Sequence, residues 1–476
     1  MTSVKMTKII ATIGPASDSE DSIRDFIESG VNIFRFNMKH NEPQWHLDRI
    51  QRVQKVANSL GIHIGILIDL QGPEIRINTQ KEDIPLGLDE KFILTSNANL
   101  PKEYKLDKYK VIRLNHKIVL KTLQVKDKFS IDDGFFEFEV VDKVSSTILI
   151  VKSLQNGIIK HRKSLNLVGL DVALPSLIDE DLDKLDMATK TKVDFVALSF
   201  TRSKRDITIL RKEMEQRNLD AKVVAKIESQ AGIDNIDSII ENADAIMIAR
   251  GDLGIEIPME EIPYLQKEII KKSRNANKPV IVATQMLQSM IETPIPTRAE
   301  AADVANAVFD ETDCIMLSGE TASGNHPLKA VKYMKKLAAY NETKKDYREY
   351  VSKNSDQTHA VVRAALSMTK QDSGIKVDKV LVFTQSGYTA RVFSSFRPNI
   401  PIIALSESEK TVEQLTMSFG VIPYLGKFPD DTFTYDKLFA TLKKKGHLKE
   451  GDLVVVVHGK RWQDEGKTNA IVVLTA

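Results

Sequence analysis

Lys226, Glu228 and Asp252 are the side chains of this sequence whose types and spacing could do chemistry together. Lys226 and Glu228 close the apolar run Val223-Val-Ala-Lys226-Ile-Glu228. Asp252 follows the run Ala245-Ile-Met-Ile-Ala249 through Arg250 and Gly251. In α/β proteins the carboxyl ends of buried strands are where ligands and reacting groups collect. Two carboxylates and one ammonium at such ends outline a divalent-metal phosphoryl site: the acids hold a hard cation and the lysine neutralises phosphate charge. Any one of these residues could be an ordinary charge capping a strand. The same arrangement on successive strands argues for a shared site.

Those strand ends need elements to position them. Eight short apolar runs, at 8–13, 31–36, 63–68, 194–200, 222–228, 245–249, 279–284 and 314–317, alternate with longer helical patterns. Repeated strand–helix units imply a parallel sheet, and eight of them imply a closed (β/α)8 TIM barrel. Helix starts are expected at Ser17-Asp-Ser-Glu20 and Thr297-Arg-Ala-Glu300, both of which fit the capping box. Roughly 100 residues separate Pro73 from Pro175, far more than an ordinary strand–helix loop. That insert carries β-rich segments at 91–95, 117–120, 128–131, 135–141 and 147–151, with a turn at Asp132-Asp-Gly134. An insert at this position lies on the catalytic face and is a candidate lid. A helix at 329–341 and a charged connection lead to a second α/β unit, with a helix at 359–371 and strands at 379–384, 401–405 and 452–457. The expected domains are a barrel (1–73 and 171–341), an inserted β domain (74–170) and a carboxyl-terminal α/β regulatory domain (342–476).

Composition narrows the function classes. The 67 basic and 65 acidic residues among 476 leave a net charge of +2, which offers no field for nucleic acid or an anionic membrane. No apolar run reaches the roughly 18 residues of a membrane span. The amino terminus has no apolar signal core, and Cys314 is the lone cysteine. A buried structural thiol and a reducing, cytoplasmic setting are therefore expected.

Over nearly its whole length the chain resembles the pyruvate kinases. The matching motifs are Thr7-Lys-Ile-Ile-Ala-Thr-Ile-Gly-Pro-Ala-Ser17, Gly72-Pro-Glu-Ile-Arg76, Asp132-Asp-Gly134, Lys226-Ile-Glu228, Ala249-Arg-Gly-Asp-Leu-Gly254, Ala283-Thr-Gln-Met-Leu-Gln-Ser-Met290, Pro296-Thr-Arg-Ala-Glu300 and Met316-Leu-Ser-Gly-Glu-Thr321. The resemblance implies phosphoryl transfer from phosphoenolpyruvate to ADP with Mg²⁺ or Mn²⁺, in a homotetramer. It implies Glu228 and Asp252 as metal ligands, and Lys226 as the cation that stabilises the moving phosphoryl and the enolate. Thr284 is tied by the resemblance to enolate protonation through water, because a threonine hydroxyl is a poor acid by itself. Arg35 and Arg76 would hold phosphate. The amides of Gly251 and Asp252 would receive the substrate carboxylate beside Thr284. Pro15, Asn37, His40 and Arg76 match positions near the nucleotide.

The sequence departs from the family at two places. The usual Asn-Phe-Ser-His is here Asn37-Met-Lys39-His40, and Asp-Thr-Lys-Gly-Pro is Asp69-Leu-Gln71-Gly-Pro73. The missing serine is a family ligand for a monovalent cation, generally K⁺. An ammonium and K⁺ carry the same charge and are both satisfied by oxygens. Lys39 is therefore expected to fill the monovalent-cation site formed with Asn37, Asp69 and the Leu70 carbonyl, making K⁺ unnecessary. Family members that need no K⁺ often replace the glutamate of Gly-Pro-Glu by lysine. This chain keeps Glu74, so Lys39 would enter from a different strand and pair with it. The alternative is a solvent-facing Lys39 and a lost cation site.

In the carboxyl-terminal domain, Thr384-Gln-Ser386-Gly387-Tyr-Thr389 follows a strand and opens a helix, which suits the phosphate of an effector. Lys460, Arg461 and Trp462 lie where the family places further effector contacts. Two other readings remain open. A metal-dependent aldolase or lyase would form pyruvate without ADP. A metabolite sensor would bind ligand without turnover, and would have no use for Arg35, Lys226, Glu228, Asp252 and Thr284 together.

Overall fold

In the computed structural model, residues 5–78, 83–100, 109–132, 134–161, 163–167, 174–344, 356–370, 373–428, 435–459 and 468–476 are described. The eight apolar runs form the strands Lys8–Thr12, Ile33–Asn37, Gly65–Asp69, Phe195–Leu198, Lys222–Ile227, Ala245–Ala249, Val280–Ala283 and Cys314–Leu317. They close into one parallel barrel in chain order, with Lys8 paired beside Cys314. Both faces of each strand are covered, which is why the runs read as continuous apolar stretches. Ile10, Leu67, Met247, Ile281 and Met316 fill the barrel interior, and Met417 of the carboxyl-terminal domain joins them. Their neighbours Ile9, Ile68, Ile248, Val282 and Ile315 pack outward into the helical layer. Cys314 is fully buried, and burial pushes its thiol pKa well up.

Of the two capping boxes, Thr297 realises one. Its Oγ1 accepts from Glu300 N at 3.2 Å, and Glu300 Oε2 accepts from Thr297 N at 2.7 Å. The other is corrected. The first helix, Glu20–Glu28, is capped by Ser19, whose Oγ accepts from Ser22 N at 3.1 Å. Ser17 is buried in the preceding turn and accepts from Gly14 N instead.

The insert folds as a seven-stranded mixed sheet. Lys91–Thr95 pairs parallel with Lys110–Leu114 and antiparallel with Ile148–Ser153; Phe136–Ser145 and Lys128–Ile131 follow in the sheet. The strand expected at 117–120 is a helix, Lys117–Thr122. Val119, Leu120 and Leu123 are all buried. Strand alternation would have sent adjacent Val119 and Leu120 to opposite faces, whereas i, i+1, i+4 spacing shares one helix face.

In the carboxyl-terminal unit a five-stranded sheet runs in the order Val421–Leu425, Ile402–Ser406, Lys379–Phe383, Leu453–Gly459, Thr468–Thr475. The last strand is antiparallel to its neighbour, and the first and last of these five had no sequence expectation. This unit docks on the amino-terminal floor of the barrel. Arg397 is buried there, donating to Asp313 Oδ2 at 2.6 Å and to the Glu311 carbonyl.

Candidate active site

Four barrel strands converge on one buried cluster around Asp69 and Lys226. Asp69 ends the third strand and accepts from Arg35 Nε of the second strand at 2.8 Å through Oδ2. Lys226 Nζ from the fifth strand lies 3.1 Å from its other oxygen. Lys226 also pairs with Glu228 Oε1 at 2.8 Å and donates to Ser199 Oγ at 2.7 Å. Glu228 Oε2 accepts from the Phe200 amide at 2.6 Å. Asp69, Lys226 and Glu228 are 1%, 8% and 2% exposed, so solvent barely screens these contacts.

Burial sets the electrostatics. It lowers the Lys226 pKa, but Asp69, Glu228 and Asp252 more than offset this and hold the ammonium's pKa above its ordinary value. Burial likewise opposes the charge on Asp69, and Lys226 and Arg35 overcome it, keeping that carboxyl below its usual range. Glu228 is pushed up to about 7 by burial, with Lys226 opposing and Asp252 reinforcing.

Asp252 sits in the first turn of the helix Arg250–Glu256, where its charge suits the helix dipole. It and Glu228 line a cleft between barrel and insert, together with Glu74, Ser164 and Asn166. Among the described residues no cluster of three or more His, Cys, Asp or Glu could hold a metal. Two carboxylates facing an open cleft nevertheless fit Mg²⁺ or Mn²⁺: Mg²⁺ commonly takes one or two protein carboxylates and leaves its other positions to water and phosphate.

Thr284 follows the seventh strand with φ +67°, and Gln285 has φ +56°. A left-handed β-branched residue costs on the order of 1–3 kcal/mol and points to a functional constraint. The turn is held from below. Arg250 forks onto Asp303 at 2.6 and 2.7 Å and donates to the Thr284 carbonyl at 2.8 Å. The Gly251 amide, expected to face a substrate carboxylate, donates to Thr284 Oγ1 at 2.7 Å. A Cβ on Gly251 would stand 3.3 Å from that oxygen.

The second and third strand ends carry the remaining residues. Asn37 Oδ1 accepts from the Lys39 amide at 3.2 Å. Lys39 Nζ pairs with Glu74 Oε1 at 2.7 Å, and Arg76 pairs with Glu74 Oε2 at 2.8 Å, so Glu74 bridges the two cations. Asp69 is held by Arg35 and Lys226 rather than by Lys39. Leu70 is buried and its carbonyl accepts from Ser199 Oγ at 2.7 Å. Burial lowers the His40 pKa, and Lys39, Arg35 and Arg76 lower it further. Pro15 is exposed, beyond Gly14, where a Cβ would collide with the Ala322 carbonyl.

The carboxyl-terminal loop stands apart from this constellation. Thr384 is buried at its strand's end, and Gly387 takes φ +77° as it opens the helix Tyr388–Ser395. The Ser386 carbonyl accepts from Arg391 at 3.1 Å. The buried Thr389 hydroxyl is shared with that of Thr468 at 2.7 Å. Lys460, Arg461 and Trp462 lie outside the described residues.

Sequence reasoning missed Ser199, Arg250 and Asp303. Ser199 ends the fourth apolar run in the way Lys226 ends the fifth, so the strand-end rule applied once more would have found it. Arg250 and Asp303 join two separate helices, and no local pattern connects them.

Comparison with known proteins agrees with this geometry. Residues 4–331 match the family model for the pyruvate kinase barrel domain, and residues 359–474 match that for the pyruvate kinase alpha/beta domain. A pyruvate kinase of Bacillus licheniformis is 37% identical over 464 residues, covering 96% of this chain and 78% of the relative. One from Staphylococcus aureus is 38% identical, covering 98% and 80%. The crystal structure of a pyruvate kinase from Cryptosporidium parvum superposes with a TM-score of 0.90 at 32% identity, over 99% of this chain and 96% of that one. With both family models matched in order and the barrel closed around the same strand ends, the chain belongs to the pyruvate kinase family.

Proposed function

We propose that this chain transfers the phosphoryl group of phosphoenolpyruvate to ADP, forming pyruvate and ATP, at the site around Lys226. One observation carries the assignment: a buried, charged lysine lies between Asp69 and Glu228 within the field of Asp252, and Glu228 and Asp252 line an open cleft. Phosphoryl transfer needs positioning and charge neutralisation more than covalent help. Mg²⁺ or Mn²⁺ held by Glu228 and Asp252 would add positive charge at the moving phosphoryl. Lys226 stabilises that phosphoryl group and the enolate left behind, and Arg35, braced on Asp69, holds phosphate. Thr284 orders the water that protonates the enolate, and Gly251, whose amide fixes its hydroxyl, leaves room for the substrate beside it. Pro15, Asn37, His40 and Arg76 flank the nucleotide.

The Lys39–Glu74 pair supports the finer reading that an internal ammonium replaces the monovalent cation, so that K⁺ is not required. Lys39 meets Glu74 as expected, but Asp69, expected beside it, is served by Lys226 and Arg35 instead. A homotetramer, a cytoplasmic setting and a phosphorylated effector at Thr384, Ser386, Gly387 and Thr389 complete the proposal. The test is a coupled pyruvate assay with phosphoenolpyruvate, ADP and divalent metal in buffer free of K⁺ and Na⁺. ADP-dependent pyruvate formation is expected; pyruvate without ADP, or ligand binding without turnover, would refute the assignment.

A further inference from the structure

Beneath the barrel, on the side opposite the active site, the carboxyl-terminal domain closes over a cavity of about 100 Å³. Three cations line it: Lys222 and Lys278 from the barrel floor, and Arg391 from the helix Tyr388–Ser395. One carboxylate faces them, that of Asp244, and its Oδ2 already accepts from Arg211 and from the Val223 amide, each at 2.8 Å. Lys278 donates to the Ala243 carbonyl and Arg391 to the Ser386 carbonyl, but neutral carbonyls do not cancel charge. The Lys222 ammonium has no hydrogen-bond or ion-pair partner among the described residues. The buried Gln414 Nε2 on the cavity wall also has none. Burial lowers the pKa of both Lys278 and Arg391, with Asp244 opposing. The pocket thus gathers more positive charge than it neutralises, and leaves a buried donor unused, which is costly unless something fills it.

We propose that this interdomain cavity binds a phosphate dianion, free or carried on a small molecule, through Lys222, Lys278, Arg391 and the Gln414 amide. A dianion matches the charge excess better than a single carboxylate. The small volume excludes a macromolecule. Phe195, Tyr388 and Met417 complete the wall and would take an apolar body attached to the phosphate. The site borders the hydroxyl-rich loop through the contact of Arg391 with the Ser386 carbonyl, but Thr384, Ser386, Gly387 and Thr389 are not among its described lining residues.

The position gives the site a mechanical reach. Lys222 opens the strand Lys222–Ile227, which leads to Glu228. Asp244 precedes the strand leading to Asp252, and Lys278 lies just before the strand leading to Thr284. Each strand rises about 3.3 Å per residue and connects the cavity directly to a catalytic end, along which coupling between the two would run. This consequence rests on the catalytic reading above; the binding site itself does not.

The experiment is calorimetric titration of the full chain with inorganic phosphate and with phenyl phosphate, the catalytic site being blocked by saturating phosphoenolpyruvate and Mg²⁺ without ADP. One anion per chain is expected, with Lys222→Met and Arg391→Met each weakening it at least about tenfold and Lys222→Arg retaining it. Tighter binding of phenyl phosphate identifies a phosphate ester as the ligand type, and binding of inorganic phosphate alone identifies the free ion. Because Lys222 is in repulsion when the cavity is empty, Lys222→Met is expected to keep or raise the melting temperature in phosphate-free buffer, which separates lost binding from lost folding. No binding at millimolar anion, binding untouched by both Met variants, or binding removed by Ser386→Ala instead would overturn the proposal. Binding needs no turnover, so this failure is distinct from failure of the catalytic reading. A shift in half-saturating phosphoenolpyruvate on adding anion, absent in Lys222→Met, is the expected sign of coupling; equal behaviour of the two proteins would refute the coupling.

Discussion

Burial alone would lower the Lys226 pKa; the carboxylates around it more than offset this and keep it charged, as the proposed role requires. On the proposed mechanism, replacing it with methionine removes charge at the place where charge develops in the transition state. Lys226→Met is expected to lower kcat by about 10²–10³-fold or more, while the melting temperature reports whether the site still folds. A kcat within tenfold of the parent in the coupled assay would remove Lys226 from the catalytic assignment. Lys39 poses a sharper question, because its ammonium is about one-third exposed yet paired at 2.7 Å with Glu74. If it stands in for the monovalent cation, the parent enzyme works equally in K⁺-free and K⁺-containing buffer, and Lys39→Ser acquires a K⁺ requirement. A serine variant still indifferent to K⁺ would end that idea.

At the scale of elements, the inserted domain hangs from two chain crossings that one carboxylate ties together. Asp181, in the first turn of the helix Asp179–Ala188, accepts from the Gln71 amide at 2.9 Å and from the Gly72 and Ile178 amides at 3.2 Å. Gln71 and Gly72 lead into the insert, and Ile178 lies on the path returning from it. Asp181→Ala would leave three amides without this acceptor, the buried Gly72 amide among them, costing about 1–3 kcal/mol for a buried donor left unmade. The expected result is a lower melting temperature with raised KM for both substrates, since the insert carries Arg76 and one wall of the cleft. Unchanged KM values would mean that the hinge holds without this tie. The Arg250–Asp303 fork serves another element in the same way, bracing the left-handed turn at Thr284.

For the whole molecule, the interface between barrel and carboxyl-terminal domain contains titrating groups as well as fixed ion pairs. Glu413 is pushed up to about 8 by burial and by the neighbouring Asp194 and Glu409, against Lys192 and Lys410. Burial also raises Asp194, with Lys410 and the Ile66 amide opposing. A carboxyl with a raised folded-state pKa binds its proton more tightly in the native protein than in the unfolded chain. Its contribution is therefore greatest below the ordinary value of 4.5 and is lost as pH rises toward 8. Nearby His63 is lowered by burial, with Glu409 opposing, and its stability effect is complete above its ordinary 6.5. Between about pH 6.5 and 8.5 the melting temperature should accordingly fall, and Glu413→Gln should flatten that slope. An equal slope in the two proteins would place the titration elsewhere.

Local pattern determined most of the architecture. Each barrel strand is buried on both faces, so it must be apolar throughout, and eight such runs separated by helical periodicities leave few folds to choose from. The chemistry at the strand ends was legible for the same reason: a charge that ends an apolar run is placed by the strand, whatever its partners. Tertiary structure decided the partners. Closure of the barrel brings Arg35, Asp69, Ser199 and Lys226 together from four different strands, and only that closure shows that Asp69 is served by Arg35 and Lys226 rather than by Lys39, whose pairing with Glu74 the sequence had suggested. The segment at 117–122 was misread because a four-residue apolar run has no period of its own; the sheet beneath it selected the helix. Arg391 lies two residues beyond the expected effector loop, and only the docking of one domain on the other places it beside Lys222 and Lys278 around one cavity. Side-chain type is local, but electrostatic environment depends on distance through space, and the chain sets that distance only once it has folded.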